Sequence, residues 1–121
     1  MERADYLILE EGYRLLRKEL EVWNGRALEH GALSQPYEKE VADISWMIKW
    51  GKEELDKNSR IVLFYGISVG SVRYVKAALM FLIGKREQER VQKVKEGWPS
   101  AALGALSESI ERVRTIASGI T

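Results

Sequence analysis

The chain has 121 residues, enough for a single domain whose one core buries about two-thirds of the surface that the unfolded form exposes. Its 19 basic and 18 acidic residues leave a formal charge of +1, so the molecule as a whole has no field to attract nucleic acid or anionic lipid, and such binding would need a local patch. The absence of cysteine excludes disulfides, thiolate metal sites and cysteine nucleophiles, and only two prolines, Pro36 and Pro99, interrupt the backbone, which favours long helices.

The first stretch, "MERADYLILEEGYR", has charges inside its apolar positions and lacks the unbroken apolar core of a signal peptide, so a cytoplasmic location is expected. Tyr6, Leu9, Tyr13, Leu16, Leu20, Trp23 and Ala27 follow at steps of three and four, a helical seam sustained for three heptads. The run "GRALEHGALSQP" then reads as a helix end, a short connection and a new start, with Pro36 in the first turn. His30, the single histidine, is expected at the surface near that helix end.

A second helix should begin near Tyr37 and end around Lys57. Its seam is Tyr37, Val41, Ile44, Ile48 and Leu55, with Gly51 as the missing member. Trp46 and Trp50 are one turn apart and project roughly opposite that seam, among Asp43, Lys39 and Glu53. Two tryptophans on the wrong face mean that the helix is buried on two sides, either by its own chain or by a partner.

The third segment contains "VLFYGISVGSV", in which Gly66, Ser68 and Gly70 spell G-x-S-x-G, the turn that presents a serine nucleophile in α/β-hydrolases. That mechanism needs a histidine base after the serine and a parallel sheet around it. His30 precedes Ser68 and no segment has the period of a strand, so the motif reads as a chance match and the protein is expected not to be an enzyme. From Ile61 to Ile83 the chain is long enough to cross a bilayer, but Arg73 and Lys76 sit near the middle of that window, so a membrane span is the less favoured reading. A helix apolar almost all round is instead the central member of a bundle, over residues 60 to 83. Its narrow remaining strip carries Gly66, Val69, Arg73, Lys76, Ala77 and Met80. Within and beside it, Gly66, Gly70, Ala77 and Gly84 form a line of small residues expected to lie under another helix.

After Gly84 the helix either runs on or kinks. The following stretch, "KREQERVQKVKEGW", gathers Lys85, Arg86, Arg90, Lys93 and Lys95, a basic run diluted by Glu87, Glu89 and Glu96. Gly97 and Pro99 separate a fourth helix, with Ser100 as its expected N-cap and Leu103, Leu106, Ile110, Val113, Ala117 and Ile120 as its seam.

These readings converge on an all-α fold: one domain over residues 1–121, a compact antiparallel bundle of four principal helices with a buried central third helix. No metal, cofactor or small-molecule site is expected from the motifs; in particular, one histidine cannot supply the paired Glu-x-x-His ligands of a di-iron bundle. The leading functional expectation is a non-catalytic protein-interaction or assembly module, a homo-oligomer that associates through Trp46, Trp50, Asp43, Lys39 and Glu53. The alternative is a nucleic-acid-associated protein using residues 85–95.

Overall fold

The computed structural model describes residues 1–57 and 69–120, apart from the side chains of 69–71. The described residues form four helices: α1 (Arg3–Glu29), α2 (Glu38–Asp56), α3 (Val69–Lys95) and α4 (Ser100–Ser118). The protein is thus an all-α helical bundle. Ser68 and Gly66 of the G-x-S-x-G motif lie outside the described residues, whereas Gly70 belongs to α3.

Two glycines stop helices in the same way. Gly31 has φ +89° and Gly97 has φ +76°, a left-handed conformation that glycine adopts without the Cβ clash of other residues. At the end of α1 the Gly31 N–H donates to the Leu28 carbonyl and the Ala32 N–H to the Ala27 carbonyl. At the end of α3 the Gly97 N–H donates to Val94 and the Trp98 N–H to Lys93, the same double closure. Asn24, a buried polar residue of α1, accepts the Tyr37 N–H at 2.7 Å and so fixes where the chain turns into α2.

The helices are not arranged as a square. α1 packs against α2 and α3, and α3 packs against α1 and α4, so the principal contacts run α2, α1, α3, α4. Glycine sets two of these approaches. A Cβ on Gly12 would lie 2.7 Å from the Ala78 carbonyl oxygen, so α1 and α3 touch there nearly backbone to backbone. A Cβ on Gly51 would overlap the Tyr6 ring. The gap in the α2 seam at Gly51 is therefore the space that this ring from α1 fills.

Polar contacts give the directions. Arg86 Nη1 donates to Ser109 Oγ at 2.6 Å and Arg90 Nη1 to Ser107 Oγ at 3.4 Å, an antiparallel pairing of α3 and α4. Arg112 Nη2 reaches Asp5 at 2.8 Å while Gly12 meets Ala78, which makes α1 antiparallel to α3. With Gly12 opposite Ala78 and a rise of about 1.5 Å per residue, the start of α1 lies near residue 87 of α3. The last turns of α3 and the first turns of α4 therefore extend past α1 as a helical hairpin.

The core includes Tyr6, Leu9 and Tyr13 from α1, Ile44 and Ile48 from α2, Val75, Ala78, Leu79 and Leu82 from α3, and Ile110, Val113 and Ile116 from α4. Each large apolar side chain fully removed from water contributes roughly 1.5–3 kcal/mol. Several expected seam members are displaced. Trp23 and Tyr37 are exposed, because α1 and α2 end their mutual packing near Asn24. Ser100 is the first residue of α4, whose N-cap is Pro99, and Pro36 precedes α2 rather than entering it. α3 is continuous through Gly84. It is central in the packing order yet not buried all round: Arg73, Lys76, Ala77 and Met80 are exposed.

Candidate interaction surfaces

On α2, the residues expected to form one patch separate. Trp46 is 61% exposed, with Lys39, Ala42, Lys49 and Glu53 exposed along the same side. Trp50 is half-buried and packs against the core. The half-buried Asp43 accepts the Tyr74 hydroxyl at 3.0 Å, tying α2 to α3. Burial and this bond to Asp43 both hold the Tyr74 pKa above the usual tyrosine value. What remains of the patch is one tryptophan among charges, and the signal that separates the two tryptophans is helix phase relative to α1, which periodicity within α2 does not reveal.

The small-residue line is also placed differently. Ala77 is exposed, and a Cβ on Gly84 would meet nothing within 4 Å, so among the described residues neither lies under a neighbouring helix. Gly66 lies outside the described residues, and the surroundings of Gly70 are not described. The close approach in α3 occurs one residue along, at Ala78, and its glycine is Gly12 of α1. Ala77, Met80, Gly84 and Val91 instead form an open stripe of small and apolar residues at helical spacing, about 21 Å long at 1.5 Å per residue. Arg73 at its start is exposed and its guanidinium lies 5.4 Å from the centroid of the Tyr74 ring.

The five basic residues of the 85–95 run have different roles. Arg86, half-buried, donates to Ser109 and to Glu11 at 2.8 Å, joining α1, α3 and α4. Lys93 pairs with Glu89 at 2.8 Å and lies 4.6 Å from the centroid of the Trp98 ring. Lys85 lies over the Phe81 ring at 5.4 Å. Arg90 and Lys95 alone among the five line a groove, an open volume of about 430 Å³ between the projecting ends of α3 and α4. Its apolar lining is Val91, Val94 and Leu103, with Ser107 at one end. Among the described residues neither Arg90 nor Lys95 has an acidic partner.

Among the described residues there is no cluster of three or more histidine, aspartate or glutamate side chains able to hold a metal ion, and no helix is long and apolar enough to cross a membrane. No protein-family model, curated protein or solved structure matches the chain.

Proposed function

We propose that the protein is a non-catalytic interaction module that associates with a second copy of itself through the outer face of α3. The observation that carries this reading is the stripe of Ala77, Met80, Gly84 and Val91, over which no helix lies among the described residues, and in which Met80 is 60% exposed. Small residues beside a flexible methionine favour close approach of a second helix. A two-fold antiparallel crossing near Leu82 sets Met80 of each copy opposite Gly84 of the other. It also brings Lys76 of one copy toward Glu87 of the other, whereas a parallel crossing sets Lys76 against itself. The tryptophan face of α2 is the weaker surface, because Trp46 is alone there and single exposed apolar residues are ordinary.

Sedimentation equilibrium on wild type, Met80→Glu and Trp46→Ala tests the reading. The expected result is a dimer whose dissociation constant rises at least tenfold, about 1.4 kcal/mol, in Met80→Glu and stays unchanged in Trp46→Ala. A wild type that is monomeric at millimolar concentration refutes self-association. Dissociation by Trp46→Ala alone moves the interface back to α2.

A further inference from the structure

The groove at the projecting end of the α3–α4 hairpin meets the proposed dimer face at Val91 and differs from it in being walled by two helices and lined by two cations. Val94 is 58% and Val91 52% exposed, and Leu103 closes the opposite wall from α4. Both charged residues that line it are cations, Arg90 and Lys95, and no acidic side chain lines it. The nearby carboxylates are engaged elsewhere: Glu89 with Lys93, Glu87 with Arg114, and Glu96 with Gln92 and the Trp98 indole N–H. The hairpin extends past α1, so the approach to this groove is not blocked by that helix.

We infer that this groove is a docking site for an acidic amphipathic helix of another protein. Two antiparallel helices leave between them a trough into which a third helix lays apolar residues spaced three or four apart. Val91 and Val94 lie about one turn apart on one wall and Leu103 stands opposite them on the other, which matches guest anchors at i and i+3 or i+4. The two cations select the charge of the guest: glutamates flanking the anchors meet Arg90 and Lys95, and a basic helix of the same apolar pattern meets repulsion. Arg90 is already held toward Ser107, so its guanidinium is placed before the guest arrives.

The test uses a fluorescein-labelled peptide of about four helical turns, with leucines at i, i+3, i+4 and i+7 and flanking glutamates, titrated with the full-length chain and read by anisotropy. A second peptide has lysine in place of every glutamate. The acidic peptide is expected to bind, more weakly as salt rises, and the lysine peptide to bind at least tenfold more weakly. Arg90→Glu with Lys95→Glu should reverse that preference, and Val94→Asp should weaken both peptides at least tenfold; Val94 and Lys95 are exposed, and circular dichroism confirms that these variants fold. Equal affinity for the two peptides, or no binding of either, overturns the inference. So does binding of anionic phosphatidylserine vesicles that the acidic peptide does not displace, which assigns the groove to lipid. The titrations are repeated on Met80→Glu, so loss of self-association and loss of peptide binding are read separately. If Val94→Asp disperses the wild-type dimer, the occupant is a second copy and the inference fails.

Discussion

Ala77 and Ala78 are neighbours in sequence and stand on two faces of α3 with opposite properties. On the inner face, Ala78 is fully buried and its carbonyl oxygen is so near Gly12 that no side chain fits between them. On the outer face, Ala77 and Met80 are exposed and Gly84 looks onto open space. Both faces use small residues, yet among the described residues only the inner one uses them to bring two helices of this chain together. Smallness at helical spacing therefore marks a surface that another helix is able to approach, and does not say whether that helix belongs to the same chain.

The inner face is most sensitive at Gly12. In Gly12→Ala the new methyl meets backbone rather than a flexible side-chain end, so α1 and α3 must separate and loosen the packing of Leu9, Tyr13, Leu79 and Leu82 around them. A loss of about 3 kcal/mol is expected, at the upper end of ordinary overpacking costs, measured by urea denaturation. An effect under about 0.5 kcal/mol, the range of ordinary surface changes, would show that the crossing is not tight.

The four helices, their order and their antiparallel sense were legible in the sequence because a 3.6-residue period survives wherever one face is buried. Tyr6, Leu9, Tyr13, Ile44, Ile48, Ile110 and Val113 are all seam positions that became core. Position on the third helix was harder to read. Its apolar residues cover so much of the circumference that the period is nearly lost; the strip left over, with Arg73, Lys76, Ala77 and Met80, faces water, whereas the line of small residues expected under another helix has, among the described residues, no helix over Ala77 or Gly84. Gly12 and Asn24 carried no signal at all, since each acts through a partner distant in sequence, Ala78 and Tyr37. The basic run of residues 85–95 was legible as a concentration of charge. Which of its cations are consumed inside the molecule depends on α1 and α4, and no spacing within 85–95 encodes that.

The inner face should also respond to alkali. Burial, followed by the nearby charge of Glu10, pushes the Tyr6 pKa up to about 12, and deeper burial drives that of Tyr13 higher still. Because both groups are neutral when protonated and resist ionisation in the folded state, the unfolded chain releases these protons first as pH rises. The stability held by the neutral tyrosines is therefore complete below pH about 10; that of Tyr6 is lost between about 10 and 12, and that of Tyr13 continues to fall above this window. For Tyr6 this amounts to roughly 2–3 kcal/mol, two pKa units at 1.36 kcal/mol each, seen as falling melting temperatures over that window. Among the described residues the Tyr13 hydroxyl has no hydrogen-bond partner, so Tyr13→Phe should fold at least as stably at neutral pH and lose less at high pH. Melting temperatures that stay flat up to pH 12 would contradict the burial of these rings.

The smallest effect has the opposite sign and belongs to the outer face. Gly84 is an interior residue of a continuous helix with open space where a Cβ would be, so nothing local requires glycine there. Gly84→Ala should stabilise the dilute, monomeric protein by about 0.5–1 kcal/mol, the helix-propensity difference between the two residues. If Met80 of a second copy fills that space, the same methyl hinders the crossing, and the variant should dimerise more weakly although its monomer is more stable. Thermal melts at low concentration and sedimentation at high concentration read the two terms apart. A destabilised dilute monomer would mean that a helix of this chain covers Gly84, and a strengthened monomer with unchanged dimerisation would move the interface away from Gly84.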